Sequence, residues 1–266
     1  MKASPNTEQI SSKRNAITDG GKILAIASGK GGVGKTWFSI TLSHVLAQSN
    51  KKVLLFDADL GLANVDIQLG LMPERDLGGV ISGRIPLSEA AISFEEGKFD
   101  ILAGRSGSGN LATLPDNRLA ALGDDLVCLS TSYDFVVMDL GAGIDRTVRN
   151  LSNKATTLIV IATTEPTSLT DAYAFIKLSI QSNPAVDIKI IINNCVSHNE
   201  GRRTYDTLRK ASYNFLKYTP SYLGSIRRDT KVAETIRSQT SIITRFPSSL
   251  AAEDVRGILD KFLEVK

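Results

Sequence analysis

Cysteine and histidine are scarce in this chain of 266 residues, which contains two of each. Cys128 and Cys195 lie far apart in the sequence, and so do His44 and His198. Neither pair has the spacing of a zinc site or a redox motif, so we expect no metal site built from histidine and cysteine. We expect both thiols to be buried, as in a protein of the reducing cytoplasm.

Long apolar runs and a dominant charge are missing as well. The longest apolar stretches, such as 157–162, are too short to span a bilayer, and we identify no signal peptide. A net charge of +3 implies no strong field around the whole protein. With 42% hydrophobic and 22% charged residues, the composition predicts a soluble globular protein.

The most informative segment is the glycine-rich stretch 28–36, which reads Ser-Gly-Lys-Gly-Gly-Val-Gly-Lys-Thr. It fits the phosphate-binding pattern G-x-x-x-x-G-K-[ST], between an apolar run at 23–28 and a helical pattern at 36–47. In that order, backbone N–H groups and a helix N-terminus can surround phosphate groups. Lys35 would neutralise phosphate oxygens, and the Thr36 hydroxyl would bind Mg²⁺. The predicted nucleotide-binding residues of this segment are Gly29, Lys30, Gly31, Gly32, Val33, Gly34, Lys35, Thr36 and Trp37.

Short apolar runs recur along the chain, and helical stretches separate most of them. This alternation predicts an α/β fold, a single P-loop NTPase domain with a mostly parallel, twisted sheet and helices on both faces. We assign residues 22–266 to this domain, which ends in an amphipathic helix at 252–266, and the polar residues 1–21 to a flexible N-terminal tail. The predicted strands are 23–28, 53–57, 99–103, 134–139, 157–162, 188–193 and 222–226.

Polar residues follow several of these strands. Ligands bind at the carboxyl ends of the strands in such sheets, so these side chains should converge on the glycine loop. Asp139 suits a carboxylate that holds a Mg²⁺-bound water, and Asp57 could support Thr36 and the metal shell. Asp59 is the better candidate for positioning the attacking water, and Asn193 could bind the edge of adenine. For each of these residues, the alternative is a purely structural role, at the end of a strand or as the cap of a loop.

A second lysine in the loop, Lys30, is not needed to bind a phosphate chain within one subunit, and a dimer explains it best. Here the sequence resembles the deviant Walker A motif of the MinD/ParA ATPases. The segment from Asp57 to Asp66 and the segment from Glu165 to Tyr173 are similar to those of the FlhG/FleN branch, which regulates flagellar number and placement. The resemblance covers roughly residues 22–250.

The resemblance implies an ATPase that binds ATP/ADP and Mg²⁺ and forms an ATP-dependent homodimer. Lys30 would reach the nucleotide of the partner subunit and join Lys35 and Asp59 as a catalytic residue. Arg228 and Asp229 would lie beside the adenine. Hydrolysis would be slow and stimulated by a partner. The implied partner is an FlhF-like GTPase, a master transcription regulator or a switch-ring protein.

Three features depart from the family pattern. Arg227 stands where the family has a proline, which should cost the loop rigidity and leaves any nucleotide contact by Arg227 open. Residues 8–14 match the family's GTPase-activating motif poorly. The C-terminal helix of the family often binds membrane, whereas residues 252–266 carry three positive and four negative charges. An anionic membrane would repel that segment, so a helix docked on the core is at least as good an interpretation as a peripheral contact at the inner membrane.

The stretch 200–237 is basic, with nine Lys/Arg, four Asp/Glu and interspersed aromatic residues. It fits either a DNA-binding surface or one helix with solvated basic side chains over buried aromatics, and we favour the helix. The leading hypothesis is therefore an ATP-switched dimer that controls flagellar number, placement or biosynthesis. The alternative is a ParA/MinD-like ATPase for chromosome or plasmid partition or for positioning the division site.

Overall fold

A computed structural model describes residues 21–104 and 114–264, which form one eight-stranded sheet with helices on both faces. The strand order is β3-β4-β2-β5-β1-β6-β7-β8, and all pairs are parallel except β3 with β4. The predicted α/β class is confirmed. The predicted tail lies, except for Gly21, outside the described residues. The strands are β1 (Lys22–Ser28), β2 (Val53–Ala58), β3 (Ile92–Phe94), β4 (Phe99–Leu102), β5 (Phe135–Ala142), β6 (Thr157–Ala162), β7 (Ile188–Cys195) and β8 (Ser221–Arg227).

Two apolar cores, one on each face, attach the helices to the sheet. The helices are α1 (Lys35–Gln48), α2 (Val65–Leu69), α3 (Leu77–Ile81), α4 (Asp116–Ser130), α5 (Arg146–Ser152), α6 (Pro166–Ser182), α7 (His198–Leu216), α8 (Thr230–Arg237), α9 (Ile242–Arg245) and α10 (Leu250–Glu264). The helices α1, α9 and α10 pack on one face, while α4 to α7 pack on the other.

The sheet places the two candidate carboxylates side by side. β2 and β5 are neighbours in parallel register, and Asp57 pairs with Asp139 across them. β5 is also paired with β1, whose carboxyl end leads into the glycine loop. Continuous burial of β1 and β2 explains why both read as apolar runs, since parallel strands are covered on both faces.

Three local expectations need correction. The edge strand β3 is antiparallel and has no counterpart among the predicted strands. Residues 200–237 are not one helix, because β8 separates α7 from α8, and Phe215 is 77% exposed rather than buried. Cys128 is exposed, and only Cys195 is buried.

The terminal helix α10 runs over Leu250–Glu264 rather than 252–266, and residues 265–266 lie outside the described part of the chain. Its apolar stripe, which includes Val255, Ile258 and Leu259, is buried in the core. The amphipathic pattern is thus used for docking on the domain. Within the described ranges, none of the helices combines the length and apolarity that a membrane span requires.

Candidate functional site

The glycine loop between β1 and α1 has the backbone geometry that its sequence predicts. Gly32 and Gly34 have positive φ angles of 76° and 96°, which favour glycine. A side chain at Gly34 would also place its Cβ 2.4 Å from Asn193 Nδ2, too close for any real contact. The Ser28 hydroxyl donates to the Lys30 carbonyl at 2.6 Å and fixes the start of the loop. The loop is therefore shaped by local geometry and by a close neighbour on β7.

Lys35 begins α1 and is 8% exposed. Burial lowers the pKa of its ammonium group, and the charges of Asp139 and Asp59 act in the opposite direction. A cation that has lost most of its hydration gains strongly from an anionic partner. Lys35 is thus held where a phosphate oxygen would stabilise its charge.

Asp139 lies on β5 beneath α1 and contacts two hydroxyl groups of that helix. The Ser39 hydroxyl is 2.9 Å from Asp139 Oδ1, and the Thr36 side chain also donates to this carboxylate. Burial raises the pKa of Asp139 to about 6, although Thr36, Lys35 and Ser39 act to lower it. The structure thus joins Lys35, Thr36 and Asp139 in one cluster.

Asp57, the neighbour of Asp139, is fully buried and holds the loop that follows β2. Its Oδ2 accepts from the backbone N–H groups of Asn64 and Val65, both at 3.0 Å. Its Oδ1 accepts from the backbone N–H of Asp59 at 3.2 Å. Burial and then the charge of Asp139 raise its pKa, against these hydrogen bonds. Both carboxylate oxygens serve the backbone, so Asp57 positions the segment that carries Asp59.

Asp59 stands at the rim and is partly exposed. Its Oδ1 accepts from the backbone N–H of Leu62 at 3.0 Å, which leaves Oδ2 outside that contact. A Cβ on Gly141, which lies on β5 two residues beyond Asp139, would lie 3.4 Å from Asp59 Oδ1. The carboxylate therefore lies close to the Asp139 segment, within reach of the solvent side of the cluster.

A cleft of about 430 Å³ adjoins the glycine loop. It brings together residues from β7, α8 and the turn after β8. Asn193, Arg228 and Asp229, predicted to contact adenine, all line it, and so does Trp37. The Asn193 amide donates to the Val33 carbonyl at 2.8 Å, so this amide already braces the loop.

The Lys30 side chain contacts α6 and the residue before it. Its Nζ lies 2.6 Å from Glu165 Oε2 and 2.9 Å from Thr167 Oγ1 of the same chain. Lys30 and Glu165 are 35% and 62% exposed, so this ion pair is at the surface. In a single chain, then, Lys30 is bound within its own subunit, and its predicted reach into a partner stays a prediction.

The residues fit a Mg²⁺-nucleotide. The left-handed glycines, the buried ammonium of Lys35 and the adjoining cleft suit a phosphate chain that continues into a nucleoside. Mg²⁺ prefers oxygen ligands, and the Thr36 hydroxyl with the Asp139 carboxylate offers them. Asp57 offers its oxygens to backbone N–H groups instead, so a direct place for it in the metal shell stays a prediction.

Sequence reasoning missed Ser39, Glu165 and Thr167 as site residues. Ser39 lies four residues after Lys35 on α1, a spacing that puts both on one helix face. That spacing was the available signal. The Lys30 contacts join residues more than a hundred positions apart, and no local pattern indicates such a pair.

Comparison with known proteins agrees with this geometry. The family described as the CobQ/CobB/MinD/ParA nucleotide binding domain matches residues 24–242. The antiactivator FleN of Pseudomonas aeruginosa is 35% identical over 90% of this chain and 85% of its own length. The flagellum site-determining protein YlxH of Helicobacter pylori is 31% identical, over 91% of this chain and 83% of its own length. A solved structure of Pyrococcus horikoshii MinD complexed with Mg-ADP has a TM-score of 0.77 at 22% identity and covers 91% of this chain and 95% of that one.

Proposed function

Because this chain belongs to the family of CobQ/CobB/MinD/ParA nucleotide binding domains, we propose that it is an ATP-dependent, dimerising molecular switch that hydrolyses ATP slowly. The observation that carries the proposal is the cluster of Lys35, Thr36 and Asp139 at the glycine loop, next to the cleft. The Mg-ADP complex of the MinD relative supports ATP/ADP and Mg²⁺ as its cofactors. We place this switch in the cytoplasm.

Each residue of the cluster has a role that its surroundings support. The backbone of the loop and Lys35 bind and orient the phosphate chain, and Thr36 and Asp139 hold a Mg²⁺ ion or its water. The ion, when bound, neutralises charge on the phosphate oxygens. Asp59 orients the attacking water from the rim, since phosphoryl transfer needs positioning more than a strong base. Asp57 keeps Asp59 in place by its three backbone hydrogen bonds.

The biological role that we propose is control of flagellar number, placement or biosynthesis. It rests on the names of FleN, an antiactivator, and YlxH, a flagellum site-determining protein, which each align with about nine-tenths of this chain. A partner that senses the ATP-bound dimer would be a flagellar regulatory protein, such as an FlhF-like GTPase, a master transcription regulator or a switch-ring protein. Slow hydrolysis, stimulated by that partner, would reset the switch.

In the proposed dimer, Lys30 would contact the nucleotide of the partner subunit. Its ion pair with Glu165 is exposed, and exposed pairs contribute at most about 1 kcal/mol. Contact with a nucleotide phosphate across an interface would offer Lys30 a more highly charged partner. The cis contact is therefore compatible with a lysine that changes partner when a second subunit arrives.

The molar mass of an Asp59→Ala variant tests the switch. Loss of the water-positioning carboxylate should trap the ATP state, so the variant should be dimeric with ATP and Mg²⁺ and monomeric with ADP. Light scattering after gel filtration gives the mass, with Lys35→Ala as the control that should stay monomeric. An Asp59→Ala protein that stays monomeric at saturating ATP would contradict the dimer model.

The second candidate is a ParA/MinD-like ATPase for partition or division-site positioning. The likeness to MinD favours it at the level of the family, and α7 presents exposed basic residues such as Arg203 and Lys210. ATP-dependent, salt-sensitive retention of DNA would support partition. A pull-down from native cells with the Asp59→Ala protein separates the two, because flagellar components should be enriched under the first hypothesis and chromosome or division proteins under the second.

A further inference from the structure

One wall of the cleft is joined by hydrogen bonds to the C-terminal helix α10. Arg227 at the end of β8, and Arg228 and Asp229, which connect β8 to α8, all line the cleft. The sequence led us to expect a loosened segment here, because Arg227 replaces a proline. The contacts of Arg227 show a different source of rigidity.

Arg227 makes a two-pronged contact with Asp254 of α10. Its Nη2 lies 2.8 Å from Asp254 Oδ1, and its Nε lies 3.0 Å from Oδ2. The backbone N–H of Arg227 also donates to Oδ2 at 2.8 Å, a bond that proline cannot make. The Asp254 side chain is 4% exposed and that of Arg227 is 27% exposed, so solvent screens this pair only partly. Bidentate, charge-assisted bonds of this kind fix direction as well as distance.

Neighbouring contacts join the same two elements. Asp229 caps α8 by accepting from the Lys231 N–H at 2.9 Å, and its other oxygen accepts from the Ala251 N–H of α10 at 3.1 Å. His198 Nε2 lies 3.2 Å from Asp254 Oδ1. Because α10 buries its apolar stripe in the core, it holds in place both Asp254 and the Ala251 N–H that Asp229 accepts from.

We propose that the Arg227–Asp254 pair positions this wall of the cleft, so that α10 contributes to nucleotide affinity without touching the nucleotide. The proposal rests on the proposed nucleotide-binding function. Arg227 acts here as a positioning residue, since Asp254 occupies its guanidinium group. A wall that is already ordered lowers the entropy cost of binding, so loss of the pair weakens binding rather than the chemical step.

The direct alternative is that Arg227 leaves Asp254 and binds the nucleotide itself. The two cases differ in what happens when Asp254 is changed. Under the positioning proposal, removing either partner weakens binding. Asp254→Ala costs at least as much as Arg227→Ala, because Asp254 also accepts from the Arg227 backbone N–H, and the double variant costs no more than Asp254→Ala alone. If Arg227 binds the nucleotide directly, removal of Asp254 frees the guanidinium and leaves affinity unchanged or improves it.

Nucleotide titration of a small set of variants tests the proposal. The set is Arg227→Ala, Asp254→Ala, the double variant, the conservative Arg227→Lys, and the swapped pair Arg227→Asp with Asp254→Arg. We expect the Kd and KM for ATP to rise about tenfold in each single variant and in the double variant, with kcat within about twofold of the wild type. Arg227→Lys and the swapped pair should recover part of the affinity.

Controls separate this effect from general loss of stability. Arg209→Ala removes an exposed ion pair with Asp206 on α7, and it should change neither Kd nor kcat. Circular dichroism at the titration temperature identifies the variants that remain folded. If the alanine variants unfold, Arg227→Lys and the swapped pair provide the test in their place. Unchanged Kd in folded Arg227 and Asp254 variants would overturn the proposal, as would additive losses in the double variant.

The proposed function fails in a different way. If the wild type and Lys35→Ala bind ATP equally, or if neither binds it, the proposal that this loop binds a nucleotide is wrong. If the wild type binds ATP and Lys35→Ala does not, nucleotide binding stands, and the Arg227 and Asp254 variants then decide the positioning proposal alone.

Discussion

Asp139 should make the stability of this protein depend on pH in a way that one substitution removes. Burial raises its pKa from the ordinary 3.8 to about 6, so the folded state holds this proton more tightly than the unfolded chain does. Its contribution to stability is therefore fully present below pH 3.8 and is lost as the pH rises through about 6. The shift corresponds to about 3 kcal/mol between these limits.

Asparagine at this position cannot ionise. The unfolding free energy of Asp139→Asn, relative to that of the wild type, should therefore rise between pH 4 and pH 7 by up to about 3 kcal/mol. Weaker hydrogen bonds to Thr36 and Ser39 should offset about 1 kcal/mol of this gain. Asp57 acts in the same direction, because the charge of Asp139 is one of the causes that raise its pKa. The variant should also lose Mg²⁺-dependent hydrolysis.

Urea unfolding of both proteins, without nucleotide or Mg²⁺, measures the difference at each pH, and the effects of titrating groups distant from residue 139 cancel. Ser39→Ala is the matched control. It removes a hydroxyl that lowers the pKa of Asp139, so it should keep the pH dependence and move its midpoint upward. A difference between the wild type and Asp139→Asn that is constant from pH 4 to pH 7 would refute the assignment of a buried, destabilised carboxylate.

Four further substitutions have expected outcomes. Gly34→Ala should abolish ATP binding in a titration, because the site combines a φ of 96° with a Cβ contact of 2.4 Å. Gly257→Ala, which adds a Cβ in open space on α10, should instead raise the free energy of unfolding by about 0.5–1 kcal/mol, measured in urea. Leu259→Ala should cost about 2–5 kcal/mol in the same assay, since the side chain is buried, and a smaller loss would contradict a docked α10. Glu165→Gln should change stability by less than about 1 kcal/mol, because its pair with Lys30 is exposed; a larger loss by urea unfolding would show a structural role for the pair.

The fold was largely predictable because its strands are buried on both faces. β1, β2 and β6 each contain an uninterrupted apolar run of at least four residues, and a run of that kind is a clear signal in one sequence. The exception is β3, which has three residues, is only partly buried and lies at the edge of the sheet. So short a segment carries too few residues for any periodicity to show.

The positions of the site residues were predictable to the rim of the sheet, but their individual contacts were not. Strand ends predict that Asp57, Asp139 and Asn193 meet at the glycine loop. Asp139 and Asn193 do contact residues of that loop or of the helix turn that follows it, whereas Asp57 lies beside Asp139 and bonds to the segment after β2. The sequence does not tell that Asp57 binds backbone N–H groups while Asp139 faces hydroxyls, or that the Asn193 amide holds Val33. These differences depend on hydrogen bonds between distant segments, and residue type alone allows every one of them.

The second lysine of the loop depends on such a contact. The sequence indicates that Lys30 is surplus to binding phosphate in one subunit, and the structure places it against Glu165 and Thr167 in its own chain. An ammonium group held by one exposed carboxylate and one exposed hydroxyl is weakly held. A buried partner would fix Lys30 in place and exclude a role outside its subunit, whereas this surface pair can be exchanged at little cost. The cis contact therefore leaves Lys30 at the rim, and its weakness is compatible with the proposed contact to a phosphate of a second subunit.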